Sequence, residues 1–100
     1  NLGFCFDTGH ANLTGSIAAE FELMKDRIRS THLHDNNGSD DMHLAPLVDE
    51  GGSIDWAETM ELLRSRDDQF PLLLELKDDS GKKAPLDDAL CSFERLESIR

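Results

Sequence analysis

Three short apolar runs, each ending in or beside a carboxylate or an imidazole, set the tightest limit on what this chain can fold into. They read Leu2-Gly-Phe-Cys-Phe-Asp7, Arg29-Ser-Thr-His-Leu-His34 and Pro71-Leu-Leu-Leu-Glu-Leu76. Runs this short suit strands rather than helices. Each is followed, after a loop, by a segment with helical periodicity. Strands alternating with crossover helices imply a parallel sheet and an α/β fold. The carboxyl end of such a sheet is where ligands and active sites collect, and each run carries its polar residue near that end.

The helical segments are legible from caps and stripes. After the first strand, near residues 2–7, Thr8-Gly-His-Ala-Asn12 is expected to be a loop. Ser16 is a fitting N-cap. Ile17, Phe21, Met24 and Ile28 then recur on one face, with Glu20, Glu22, Lys25, Asp26 and Arg27 largely on the wet side. The second strand, near 29–34, leads into a long loop over residues 35–52, punctuated by Asn36-Asn-Gly-Ser39 and Gly51-Gly52. A loop that long in a compact domain is usually functional or disordered. Asp55 caps the next helix, Glu58 completes a capping-box pattern, and Trp56, Met60 and Leu63 form its buried stripe. The third strand, near 71–76, precedes a polar loop from Lys77 to Lys83. Pro85 suits the first turn of a last helix, whose apolar face is Leu86, Ala89, Leu90, Phe93 and Leu96.

Strand parity separates a doubly wound sheet from a barrel. Side chains alternate between the faces of a strand. Asp7 shares a face with Cys5 and Gly3, His32 and His34 with Ser30, and Glu75 with Leu73 and Pro71. The opposite faces, with Phe4 and Phe6, Thr31 and Leu33, Leu72, Leu74 and Leu76, suit helix packing. One greasy outer face and one ligand-bearing inner face describe barrel strands. The expected fold is three βα units of a (β/α)8 barrel. The chain opens at Leu2 already in a strand, so residues 1–100 are expected to be a C-terminal fragment of a larger barrel domain. Three strands cannot close a barrel, and their open edge invites self-association.

The net charge of −11, from 21 acidic and 10 basic residues, is spread along the chain. It reads as solvated helix faces and disfavours a nucleic-acid partner. No stretch approaches the roughly 18 apolar residues of a membrane span, and no signal peptide opens the chain. Two cysteines, Cys5 and Cys91, are too few for a disulfide framework. Both are expected to be buried thiols in a cytoplasmic protein.

Four places can carry chemistry. Asp7 and His10, in Asp-Thr-Gly-His, can aim at a common ion, although a polar strand-end turn uses the same residues. His32 and His34 are costly to bury together unless bonded or metal-bound; one structural and one exposed histidine is the alternative. Asp41 and His43 have spacing suited to two ligands or a substrate clamp, or belong to a merely polar loop. Glu75 stands among leucines, where a carboxylate is rarely tolerated unless paired or metal-bound. Asp, His and Glu donors together suit Mn²⁺, Mg²⁺, Co²⁺ or Zn²⁺.

Phe6-Asp7-Thr8-Gly9-His10, His32-Leu33-His34-Asp35-Asn36, Gly52-Ser53-Ile54-Asp55-Trp56 and Leu74-Glu75, in this order and spacing, resemble the xylose isomerase-like TIM-barrel superfamily. It includes sugar phosphate isomerases and epimerases and the endonuclease IV-type AP endonucleases. The resemblance covers nearly the whole chain. It implies that Asp7, His32 and Glu75 bind a divalent metal with a further glutamate from an earlier strand, that His10 contacts substrate, and that Glu75 also transfers a proton. It leaves His10, His34, Asp41 and His43 as substrate-binding or additional metal residues. The expected activity is metal-dependent isomerisation or epimerisation of a small sugar or sugar phosphate, incomplete in this piece alone. A zinc-dependent AP endonuclease-like phosphodiesterase is the alternative, because Asp7, His10, His32, Asp41, His43 and Glu75 match that pattern too. Against it stand the acidic charge and Met42, where those enzymes usually carry an arginine. An inactive or self-associating barrel fragment is the third reading.

Overall fold

The structure, a computed structural model, describes residues 2–66, 71–76 and 85–99. Three strands, β1 (Phe4–Asp7), β2 (Ile28–Leu33) and β3 (Leu72–Leu74), form one parallel sheet in the order β1-β2-β3. The helices are α1 (Thr8–Thr14), α2 (Ile17–Met24), α3 (Trp56–Leu63) and α4 (Pro85–Glu97). The register sets Asp7 beside His32 across β1 and β2, and His32 beside Leu73 across β2 and β3. The ladder runs slightly beyond β3, because Thr31 N–H donates to the Pro71 carbonyl and Glu75 N–H to the Leu33 carbonyl.

Parity works as the alternation predicts. Phe6, Thr31 and Leu33 are buried on one face of the sheet, while Cys5 and Leu73 on the other are exposed. Ile28, opposite Phe4, joins the buried cluster across a register shift between Phe4 and Cys5, where the alternation is interrupted. The helices cover the first face. Phe21 of α2 meets Phe6 edge-on at 5.8 Å. Trp56, Met60 and Leu63 of α3 and Leu96 of α4 complete the buried cluster. Each fully buried side chain of this size is worth about 1.5–3 kcal/mol.

Four expectations need correction. Thr8–Thr14 is a helix rather than a loop, because the Asp7 side chain accepts from His10 N–H and caps it. The second helix stops at Met24, and Ile28 opens β2 instead of extending the helical stripe. Cys5 is exposed and Cys91 only half-buried; Cys5 lies on the sheet face that no described element covers. The stripe on α4 is buried only at its end. Leu96 is 3% exposed, but Leu86, Leu90 and Phe93 are 78%, 59% and 42% exposed. A cavity of about 260 Å³ lies between α4 and β3, lined partly by Leu72, Leu74, Phe93 and Leu96. The expected polar loop at 77–83 lies outside the described residues.

Residues 34–55 contain no helix or strand beyond an isolated bridge between Asp35 and Leu44. The loop is nevertheless organised, and Asp35 organises it. Its carboxylate is 4% exposed. Oδ1 accepts from the backbone N–H groups of Asn36, Ser53 and Ile54. Oδ2 accepts from Trp56 Nε1 at 2.9 Å. Both ends of the loop and the start of α3 are thus held by one side chain. Gly52 passes so close that a β-carbon there would stand 2.3 Å from Asp35 Oδ2.

Asp35→Asn turns one acceptor into a donor facing Trp56 and strands a buried group, a loss of about 1–3 kcal/mol. Urea unfolding should show that loss. The double substitution with Trp56→Phe should fall short of the sum of the singles, because the two side chains share the bond being broken.

Candidate active site at the carboxyl end of the sheet

Each candidate residue is positioned by the element that ends or begins at it. Asp7 closes β1 and caps α1, so its carboxylate is oriented before any partner arrives. His32 lies within β2, and His34 follows the strand end. Thr8 Oγ1 locks that end, donating to the His34 carbonyl and accepting from His34 N–H. Glu75 follows β3, held by its N–H on the Leu33 carbonyl. Side chains from three strand ends therefore meet above the sheet.

The contacts fall into two linked pairs. His34 Nε2 lies 2.6 Å from Asp7 Oδ1, and His32 Nδ1 lies 2.8 Å from Glu75 Oε2. His34 is 1% exposed. Neither of its ring nitrogens makes a geometrically sound hydrogen bond, and Glu75 Oε2 is likewise buried without one. Donor atoms of Asp7, His34 and Glu75 all lie within 4.8 Å of one another. Those of His34, Asp41 and His43 form a second such group. The His34 ring nitrogens and Glu75 Oε2, buried without a hydrogen bond of sound geometry, are polar atoms that call for a partner. Nitrogen and oxygen donors of this kind fit a divalent ion.

The electrostatics favour an anionic Asp7. Burial works to raise its carboxyl pKa, but the close His34 ring, the His10 N–H and the charges of His34 and His32 together hold it below the ordinary value. Asp7 therefore keeps its charge throughout the neutral range.

The remaining candidates are placed more loosely. His10 is exposed in the first turn of α1, and its backbone, rather than its ring, contacts Asp7. His43 stacks on His34 with ring centres 3.9 Å apart and planes 6° from parallel. Its Nδ1 meets the Glu75 carbonyl at 3.2 Å and its Nε2 meets Asp41 Oδ1 at 3.0 Å. The family resemblance implies a set of Asp7, His32 and Glu75; the structure brings His34 closest to Asp7 and sets His32 against Glu75.

A polar network beside these residues escaped the reading of the sequence. Asn36, wholly buried, donates to the Gly9 carbonyl and accepts from Asn12 Nδ2 and Gly38 N–H. Asn12 also donates to Ser53 Oγ. In the sequence Asn36 reads only as part of a turn signal and of the family motif; its short amide side chain is of the kind that bonds to nearby backbone.

This geometry has counterparts among known proteins. The family model described as xylose isomerase-like TIM barrel matches residues 1–98. An uncharacterized protein of Methanocaldococcus jannaschii, MJ1311, is 43% identical over 67 residues, covering 64% of this chain and 22% of its own length. The uncharacterized protein y4fM of Sinorhizobium fredii is 34% identical over 76 residues, or 74% of this chain and 23% of its own. The crystal structure of a D-tagatose 3-epimerase-like protein superposes with a TM-score of 0.77 at 33% identity, over 99% of this chain and 34% of that one. The chain thus spans between about a fifth and a third of the relatives it matches. Its three parallel strands and their helices are part of a TIM barrel, and the chain belongs to the xylose isomerase-like TIM-barrel family.

Proposed function

We propose that the protein is a metal-dependent sugar or sugar-phosphate isomerase or epimerase, moving a proton at the carbon beside a carbonyl. The observation that carries this reading is the convergence of Asp7, His34 and Glu75 from three strand ends, with the His34 ring nitrogens and Glu75 Oε2 buried and without a sound hydrogen bond. The likeness to a D-tagatose 3-epimerase-like protein supports the substrate class. Asp7 and Glu75 would hold Mn²⁺, Mg²⁺, Co²⁺ or Zn²⁺ together with an imidazole of the His32 and His34 pair. When bound, such an ion polarises carbonyl and hydroxyl oxygens.

The chain's own residues supply the rest. Glu75 has a half-exposed side chain on the open face and takes the proton. His32 Nδ1, at 2.8 Å, steadies the Glu75 carboxylate. His10 stands exposed at the mouth and meets the sugar hydroxyls. Asp7, capped in place on α1, holds its charge without reorganisation.

One observation favours a second reading, a zinc phosphodiesterase of the AP endonuclease kind. The group of His34, Asp41 and His43 could hold a further ion. It calls for several zinc ions per chain and cleavage of an abasic duplex; the net charge of −11 opposes such a substrate.

A panel of ketoses and ketose phosphates, assayed with Mn²⁺ in deuterated water, tests the first reading. The wild type should exchange a carbon-bound hydrogen for deuterium. Glu75→Gln should lose turnover by about 10²–10⁴-fold, the usual contribution of a positioned base. Undiminished exchange in Glu75→Gln would sink the mechanism.

Gly9→Ala separates helix propensity from the site. Alanine is favoured in a helix by about 1 kcal/mol, yet a β-carbon at Gly9 would stand 2.1 Å from His34 Cε1. The expected outcome is a lower melting temperature and weaker metal binding, read by calorimetry.

A further inference from the structure

His43 adopts a backbone conformation that a side chain with a β-carbon rarely takes. Its φ is 53°, in the left-handed region, where non-glycine residues persist only if their surroundings hold them. The surroundings do so on its C-terminal side. Leu44 exchanges two backbone hydrogen bonds with Asp35, Ala45 N–H donates to Asp49 Oδ2, and Ser92 Oγ of α4 donates to the Pro46 carbonyl.

The orientation gained is specific. The Glu75 carbonyl can only accept, so His43 Nδ1 carries the proton in their 3.2 Å contact. The Glu75 peptide is then held from two sides, its N–H by β2 and its carbonyl by the loop. His34 presents the converse case. Its ring makes no hydrogen bond of sound geometry, so its plane is set by packing and by the 2.6 Å ion-pair contact with Asp7 Oδ1. One constraint is Gly9, which has no room for a β-carbon beside that ring; another is the parallel ring of His43 at 3.9 Å.

We propose that His43 is a positioning residue. Its strained backbone, its bond to the Glu75 carbonyl and its stack on His34 set the attitude of two candidate ligands from the β2–α3 loop. The proposal rests on the metal reading above, and it assigns His43 a place outside the ion's ligands. A ring nitrogen that donates to a backbone carbonyl is a familiar support for a metal site. Here the support reaches Glu75 through its main chain and His34 through its ring face.

Titration with Co²⁺, followed by calorimetry and by the visible spectrum of the ion, tests the proposal. His43→Phe keeps a flat ring and removes the bond to Glu75. It should bind the same number of ions as the wild type, about 10–100-fold more weakly, with a shifted spectrum at saturation. His43→Gln keeps a donor and loses the ring, and serves by the same criteria if His43→Phe fails to fold. On the unsubstituted protein, Zn²⁺ should leave the His43 Nε2 resonance at its uncoordinated position while ligand imidazoles shift. Unchanged affinity and spectrum in a folded variant overturns the proposal. So does the loss of one bound ion, or a coordinated shift at His43, because either makes His43 a ligand. A wild type that binds no ion removes the metal reading itself, an outcome separate from these.

Discussion

The Asp35 carboxylate is the point on which the upper half of this structure depends. A buried anion is tolerable only when its lone pairs are filled. Here three backbone N–H groups and an indole N–H fill them. Those donors come from three separate stretches: the residue after Asp35, the end of the long loop, and the first turn of α3. The connection between β2 and α3 is thereby closed at its base like a drawn purse. Everything above it, including Asp41 and His43, projects from a fixed foundation rather than from a free tether.

Much of the architecture was legible because apolar alternation and capping are local signals. Asp55 and Ser16 cap the helices they were expected to cap, and the faces of the three strands sort as parity requires. One local signal was overlooked: Asp7 looked like a ligand, and its bond from the His10 N–H, three residues on, makes it a cap as well. What was not legible otherwise depended on partners distant in sequence. The leucines of α4 have an amphipathic pattern that says nothing about what covers them. The chemistry was less visible than the fold. Residue type singled out Asp7, His32, His34 and Glu75, but which imidazole faces which carboxylate depends on where β2 ends. That end lies at Leu33, and it places His34 beyond the ladder, turned toward Asp7.

The site is economical in its use of side chains. Thr8 closes the β1–β2 crossover while belonging to the helix that Asp7 caps. Asn36 ties the Gly9 carbonyl to the loop, so the helix after the first strand and the loop after the second are joined directly. Neighbouring βα units in a parallel sheet share no turn, and contacts of this kind are what register their ends against each other. Donor atoms gathered within 4.8 Å from three such ends presuppose that registration.

Asp7 shows how loosely fold and chemistry can be joined. Helix capping needs a short side chain with an acceptor oxygen, and asparagine or serine meets that need nearly as well as aspartate. Ion binding needs the negative charge. If Asp7 holds an ion as proposed, a lineage could exchange this one residue, keep α1, β1 and their packing intact, and retain the barrel as a scaffold without that ion. On that reading, position 7 is where descent within such a family can part company with ion binding, and overall similarity would register almost nothing.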